Sequence, residues 1–241
     1  MSFLAPITQT IRGCHGFFRG IKWLKSHPRY FFLLFLPIFL GLLLLFFGWG
    51  SLYQYRDEIF SRVLFAKPDS LLGAGLYYVA KAVVFGALVI LGLLLYALFI
   101  NILSSPIYDL VSMAVERELL GEKLPEINLW ASLKLMGEEL KKVLFILVLS
   151  TGILFVPFLN ILTPLFAAFF VSWDLYDFPL ARRGWSFRQR VAFVFSHGWG
   201  VLGLGLWLLI PGLQLFIMPL AVTGGTILAV EDLKKSRKIE Q

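Results

Sequence analysis

The four residues Ser26-His27-Pro28-Arg29 stand where a basic, amphipathic segment meets a long uncharged one. Ser and His suit the position just before a helix, and Pro suits its first turn. A helix start carries partial positive charge and backbone N–H groups without intrahelical partners. Together with the side chains of His27 and Arg29, it could bind an oxyanion the size of sulfate or phosphate. The alternative is that Arg29 contacts lipid phosphate at the membrane surface.

Other polar residues interrupt or border the uncharged stretches. An Asn in lipid needs a partner, so Asn101 either joins helices or lines a polar pathway. Glu116 and Arg117 would be costly to bury unpaired, and they either line the same pathway or form a solvated helix face. Asn160 and Gln214 fall in turns, where they either hydrogen-bond freed backbone groups or line a pore.

The chain offers little for catalysis or metal binding. It has no Gly-rich phosphate loop and no paired-histidine zinc motif, and its three histidines are far apart in sequence. Cys14 is the only cysteine, which excludes an intrachain disulfide and a cysteine-based metal site. We therefore predict no catalytic residues, no metal, no cofactor and no enzymatic activity.

The composition is that of an integral membrane protein. Hydrophobic residues make up 59% of the 241 residues and charged residues only 15%, which is more apolar than a soluble core requires. We predict one membrane domain over residues 1–241, with no room for a separate soluble domain. The net charge is +7, and the Lys and Arg residues are spread over every loop. This distribution favours lipid head groups over nucleic acid as the partner.

The predicted fold is all-α, with two long transmembrane helices over residues 30–55 and 82–104. Residues 1–29 carry five cations on an amphipathic pattern, which predicts an interfacial segment. We also predict that a new amphipathic helix starts at Pro106 and runs to Gly121, because Pro suits a first helical turn. Its polar face is expected to hold Asp109, Ser112 and Glu116.

Two further uncharged stretches, residues 143–173 and 201–230, are each broken in the middle by proline. Each would measure about 45 Å as one straight helix, against a hydrocarbon core of about 30 Å. Two full passes would need about 40 apolar residues. We therefore predict two partly penetrating (re-entrant) helical hairpins. With both hairpins returning to the side they left, 18 of the 22 Lys and Arg lie on one face, against 14 if both stretches span.

Several of these segments resemble the bacterial CysZ proteins of the wider etoposide-induced-protein-like membrane family. They are the segment Asn101–Pro106, Glu116, the segment Tyr176–Pro179 and, most specifically, the proline-rich segment Ile210–Val222. The resemblance implies sulfate uptake across the bacterial inner (cytoplasmic) membrane for cysteine biosynthesis. It also implies two spanning helices, two hairpins and a homo-oligomer that is dimer-based, with a hexamer as one such form.

In that family the sulfate-binding stretch precedes the first span and has a Gly-aliphatic-Arg pattern after a Pro. The corresponding residues here are Pro28-Arg29-Tyr30-Phe31, without the Gly and with the Arg displaced, so only Arg29 matches. The interpretation is a channel-like or ion-coupled sulfate transporter. Sulfate would enter at Arg29 and pass between subunits, past the hairpin tips and the region of Asn101, Glu116 and Arg117. Glu116 would pair with Arg117 or a neighbouring Arg as a gate. The competing class is a non-transporting scaffold that organises lipid or another permease.

Overall fold

A computed structural model describes residues 5–64, 68–121, 129–210 and 212–239. Every regular element in these ranges is helical, which confirms the all-α prediction. The helices form two compact units. One unit comprises Met1–Leu34 with Ile107–Gln241, and the other comprises Phe35–Pro106. Every cluster described below lies in the first of these units.

The first two helices meet where the sequence predicts. Helix α1 covers Ala5–Ser26, and α2 begins at Pro28 and ends at Val63. His27 is the single residue between them. Pro at the first helical position loses no intrahelical bond, so the start of α2 is where local chemistry places it. The helix runs beyond the predicted end at residue 55.

The next helix is longer than the sequence predicts. Helix α3 covers Leu71–Leu120 and contains Pro106, so the predicted helix end at residue 104 and new start at Pro106 are wrong. Proline removes one backbone hydrogen bond and crowds the preceding turn. Apolar helices tolerate this where neighbouring groups satisfy the freed carbonyl.

The first broken stretch is interrupted at the expected place. Helix α4 covers Leu129–Phe155, a 3-10 segment covers Pro157–Leu162, and α5 covers Thr163–Arg182. Val156 has extended backbone, with φ −104° and ψ 101°. The ring of a following proline disfavours helical backbone at this position, which explains the break.

The second broken stretch has a short first arm. Helix α6 covers Phe187–Ser196 and meets α7 (Gly198–Gly205) and its 3-10 extension Leu206–Leu209 at a 79° bend. Helix α8 then covers Gln214–Ile239. Gly212, between the two arms, has φ +79°, a left-handed conformation that favours glycine. Pro211 lies outside the described residues.

Four described helical segments are long and apolar enough to cross a membrane. They are Pro28–Val63, Leu71–Tyr96, Phe158–Arg182 and Phe216–Ser236, and the bent pair of α6 and α7 with its extension would make a fifth. These segments make the chain a multi-pass membrane protein.

Helix α8 is the central element of the first unit. It contacts α1, α5 and α7, and most of its apolar window is buried inside the protein. Glycine permits the closest approaches: a Cβ added at Gly224 would lie 2.8 Å from the carbonyl oxygen of Gly16 in α1. At Gly13 an added Cβ would overlap the carbonyl oxygen of Gly200 in α7. Close packing through small residues is typical of helices in membranes.

Candidate functional site

A cleft of about 460 Å³ lies between the α1–α2 junction and the last turns of α3. Arg29 and His27, the two residues predicted to bind an oxyanion, both line it. Arg117 was predicted to line a pathway with Asn101 and Glu116. It lines the same cleft as His27 and Arg29. The complete lining comprises Trp23, His27, Arg29, Tyr30, Leu110, Met113, Ala114, Arg117 and Glu118.

The polar centre of this cleft is formed by Trp23, His27 and Glu118. The indole Nε1 of Trp23 donates a hydrogen bond to Glu118 Oε2 at 2.6 Å. The Nε2 atom of His27 lies 3.4 Å from the same oxygen. The rings of Trp23 and His27 stack with their centroids 4.2 Å apart. Two side chains separated by four positions thus present nitrogen atoms to one carboxylate, as i,i+4 neighbours on a helix can.

The second ring nitrogen of His27 restricts what the first can do. Nδ1 lies 3.0 Å from the carbonyl oxygen of Trp23, which can only accept a hydrogen bond. Nδ1 therefore carries the proton in the neutral ring, and Nε2 is then an acceptor. Nε2 can donate to a carboxylate or another oxyanion only when the ring is the imidazolium cation.

Two guanidinium groups supply the positive charge of the cleft. The Arg29 guanidinium lies over the Tyr30 ring, 5.0 Å from its centroid, and its Nη2 is 3.4 Å from the Tyr30 hydroxyl. Arg29 and Arg117 are both exposed. They can therefore adjust to a ligand without first breaking a buried contact.

The start of α2 supplies fewer backbone donors than the sequence suggested. Pro28 has no N–H, and the N–H groups of Tyr30 and Phe31 donate to the carbonyl oxygen of His27 at 3.0 and 3.4 Å. Tyr30 and Phe31 therefore offer no free N–H group to an anion. What remains for an anion is the helix dipole and the side chains.

Glu116 is placed apart from the cleft, in a buried cluster that we call the Glu116 network. Arg182 Nη2 and Nε donate to Glu116 Oε2 at 2.8 and 3.1 Å. Arg183 Nη2 lies 2.5 Å from Glu116 Oε1. Arg182 also pairs with Asp109 and donates to Ser112 Oγ at 2.8 Å. Glu116 thus pairs with two arginines at the end of α5, while Arg117, its neighbour in sequence, faces the cleft.

The predicted polar face of residues 106–121 is therefore wrong in part. Ser112 and Glu116 are fully buried, whereas Leu110 is half exposed. The physical reason is that Arg182 of α5 packs against this side of α3 and contacts Asp109, Ser112 and Glu116. Nothing local in the sequence of α3 indicates this partner.

A second buried cluster, the Asp177 network, joins α4, α5 and α6. Arg190 Nε donates to Asp177 Oδ1 at 2.8 Å, and Lys142 Nζ donates to Asp177 Oδ2 at 3.0 Å. Glu139 forms ion pairs with both cations: its Oε2 lies 2.8 Å from Lys142 Nζ, and its Oε1 lies 2.6 Å from Arg190 Nη2. Asp177 is buried. Asp174, which also pairs with Lys142 at 2.7 Å, is largely exposed.

Burial of Glu139 alone would raise its pKa, because the charged form loses hydration. The positive charges of Lys142 and Arg190, and their hydrogen bonds, act in the opposite direction. Their combined effect is larger and holds the pKa of Glu139 below its usual value. Within the Asp177 network, Lys142 and Arg190 therefore favour the charged form of Glu139.

A third cluster, the Asp232 network, ties α1 to the central helix. Arg12 in α1 pairs with Asp232 in α8, and the Tyr176 hydroxyl in α5 donates to the other oxygen of Asp232 at 2.8 Å. Arg19 and Glu231 form a neighbouring pair. The segment predicted to be interfacial is thus joined to α8 by ion pairs.

The remaining predicted pathway residues lie elsewhere. Asn101 belongs to α3, and its side chain is outside the described part of the structure. Asn160 is exposed in the 3-10 segment Pro157–Leu162, and Gln214 is exposed at the first position of α8. Each of the last two sits at a helix break, as predicted. Their roles in a pathway stay predictions.

Sequence reasoning missed Trp23 and Glu118. Trp23 could have been found from its i,i+4 spacing to His27. Glu118 could not, because its contact with Trp23 spans 95 residues. Within the described ranges, no group of three His, Cys, Asp or Glu side chains is placed to hold a metal ion.

These observations define an all-helical, multi-pass membrane protein with a cationic cleft beside the start of a long apolar helix. Residues 16–219 match the family described as Sulfate transporter CysZ/Etoposide-induced protein 2.4. The chain belongs to this family, which confirms the resemblance seen in its sequence. The family is named for a transporter and not for an enzyme.

Curated relatives with the name Sulfate transporter CysZ match part of the chain. A Pseudomonas aeruginosa protein is 31% identical over 149 residues, which cover 55% of this chain and 60% of the relative. A Vibrio cholerae serotype O1 protein is 30% identical over 151 residues, covering 56% and 60%. A Vibrio parahaemolyticus protein is 27% identical over 156 residues, covering 57% and 62%. The chain thus spans about three fifths of the length of these relatives.

Proposed function

We propose that this protein moves sulfate across the bacterial inner membrane, supplying it for cysteine biosynthesis, and that the cleft is the site of first capture. The observation that carries the proposal is the presence of Arg29, Arg117 and His27 in one cleft. Family membership and the names of the relatives support sulfate as the anion.

The cleft supplies the two features that an oxyanion site needs. Arg29 and Arg117 provide charge and N–H groups in the planar arrangement that suits oxyanions. The Trp23 indole provides a neutral donor, and His27 provides a further donor when it is protonated. Because the arginines are exposed, binding there would be weak and reversible, as capture before transport requires.

For the topology we propose that α2 and α3 span the membrane as the two long transmembrane helices. The α4–α5 and α7–α8 arms would form the two partly penetrating hairpins of a single membrane domain. The breaks at Val156–Pro157 and around Gly212 support this arrangement. In a homo-oligomer the tips with Asn160 and Gln214 would border the path, together with Asn101.

We further propose that the Glu116 network governs opening of that path. Glu116 pairs with Arg182 and Arg183 and not with Arg117, so the gate would involve the junction of α3 with the end of α5. Release of Arg182 or Arg183 from Glu116 would expose a cation to a passing anion. Passage would be channel-like or coupled to an ion gradient.

The test is uptake of radiolabelled sulfate into proteoliposomes, with binding by the purified protein measured by calorimetry. Arg29→Ala and Arg117→Ala should each weaken sulfate binding and slow uptake at low sulfate concentration. Arg62→Ala is the matched control, because Arg62 is an exposed arginine at the far end of α2 whose ion pair is with Glu58. Uptake no greater than in empty vesicles, with folded protein confirmed, would instead favour the scaffold.

A further inference from the structure

Glu118 occupies the cleft in the manner of an anionic ligand. Its Oε2 atom accepts the Trp23 indole hydrogen bond at 2.6 Å and lies 3.4 Å from His27 Nε2. Arg29 and Arg117 line the same space. A sulfate oxygen in this position would gain the Trp23 hydrogen bond and the positive surroundings that this carboxylate oxygen has.

We propose that Glu118 is an internal competitor for the oxyanion site and thereby a specificity-determining residue. This inference rests on the proposed function of the cleft. The Glu118 carboxylate contacts the Trp23 and His27 nitrogen atoms. A ligand gains full access to them only by displacing the carboxylate toward solvent.

The position of Glu118 suits displacement. Its side chain is 53% exposed, so it can turn outward and be hydrated without opening the helix packing. Glu118 lies in the last turn of α3. Among the described residues, its carboxylate forms an ion-pair contact with His27 and with no other side chain. Displacement therefore costs the Trp23 hydrogen bond and the His27 contact, both of which an incoming oxyanion can replace.

Competition by a tethered carboxylate discriminates by charge. A tethered group acts at an effective concentration in the millimolar range or above. Arg29 and Arg117 attract a monovalent anion about as strongly as they attract the single charge of Glu118. A monovalent anion therefore displaces the carboxylate poorly. A dianion gains about twice that attraction from the same two guanidinium groups. The cleft would therefore select divalent oxyanions over chloride and nitrate.

The contrasting role for Glu118 is a purely structural link between α1 and α3. The two roles predict opposite results for Glu118→Gln, which keeps the size of the side chain and removes its charge. For a competitor, the substitution tightens sulfate binding and reduces discrimination against monovalent anions. For a structural link, it leaves sulfate binding unchanged or weakens it.

The experiment measures sulfate binding by calorimetry at constant ionic strength, with chloride and nitrate as competitors. Glu118→Gln is compared with wild type and with Glu58→Gln, which removes a carboxylate of nearly equal exposure (54%) from α2. We expect sulfate affinity to rise about tenfold in Glu118→Gln, chloride to compete more strongly than in wild type, and Glu58→Gln to match wild type.

The outcomes separate this inference from the proposed function. If wild type binds and transports sulfate but Glu118→Gln binds it no more tightly, the competitor role is overturned and the proposed function stands. If the Glu118→Gln and Glu58→Gln variants gain affinity equally, the effect is one of general surface charge, and the competitor role is again overturned. If no variant binds sulfate and wild type shows no uptake, the proposed function fails and the inference fails with it.

Discussion

Replacing Glu116 by Gln removes one negative charge from the centre of the Glu116 network and changes almost nothing in shape. Glu116 is fully buried, and it faces Arg182 at 2.8 and 3.1 Å and Arg183 at 2.5 Å. With Gln there, both arginines lose their common counter-charge inside the protein. Asp109 remains beside Arg182, while among the described residues Arg183 keeps the bond that its Nη1 donates to the carbonyl oxygen of Pro179.

The size of the effect follows from these contacts. Removing one partner of a buried ion pair costs about 3–5 kcal/mol. Gln keeps one oxygen as an acceptor and Asp109 still neutralises Arg182, which places the variant near the lower end, at about 3 kcal/mol. For a chain of this size that corresponds to a fall of about 6–12 °C in the midpoint of thermal unfolding.

The assay is thermal unfolding of the detergent-solubilised protein, followed by tryptophan fluorescence at one scan rate for all variants. Glu118→Gln is the matched control, because Glu118 is two residues away on the same helix and is half exposed. We expect it to unfold within about 0.5 kcal/mol of wild type, as exposed substitutions generally do. A Glu116→Gln midpoint within about 2 °C of wild type would refute the assignment of Glu116 to a stabilising buried network.

Two further predictions concern packing and pH. Gly13→Ala should destabilise the protein by about 1–3 kcal/mol, because the added Cβ overlaps the backbone carbonyl of Gly200 and α1 must move away from α7. Thermal unfolding measures this loss of stability. The control is Gly48→Ala, since the added Cβ at Gly48 on α2 meets open space. The lowered pKa of Glu139 means that its carboxylate stabilises the folded state at pH values above the pKa of the unfolded state, near 4.5. This stabilisation is lost as the pH falls through the pKa of Glu139 in the folded state. Glu139→Gln should therefore show a smaller loss of unfolding temperature between neutral pH and pH 3.5 than wild type.

Each of these two predictions has a clear contrary result. Equal unfolding midpoints for Gly13→Ala and Gly48→Ala would mean that α1 and α7 are not in backbone contact. Parallel pH profiles for Glu139→Gln and wild type would mean that Glu139 carries no charge-dependent part of the stability.

Local signals in the sequence predicted the elements that local chemistry controls. The start of α2 follows from Pro28 and the break after α4 from Pro157, since proline acts on its own backbone and on the residue before it. Pro106 shows the limit of this reasoning, because an isolated proline can also lie within a continuous apolar helix. Whether it ends the helix depends on neighbours that the sequence does not reveal.

The clusters could not be predicted because their members are distant in sequence. Arg182 and Glu116 are 66 residues apart, and Lys142 and Asp177 are 35 apart. A charged residue beside an apolar stretch usually marks the membrane surface, so Asp177 and the basic residues near it carried no signal of burial. His27 and Arg29 could be proposed as oxyanion-binding residues because they flank a helix start. Nothing in the sequence around Arg117 indicated that it lines the same cleft.

The pairing of Arg12 with Asp232 has a consequence for how the protein is made. The two residues are 220 positions apart, and at about 5–20 residues per second the ribosome needs about 10–45 s to proceed from one to the other. Throughout that interval α1 lacks α8, the helix that packs closely against its residues Gly16 and Gly20 in the finished protein. An amphipathic helix can wait at the bilayer surface with its apolar face in lipid. Helix α1 would then lie at the bilayer surface during synthesis and pack one face against α8 only after α8 has been made.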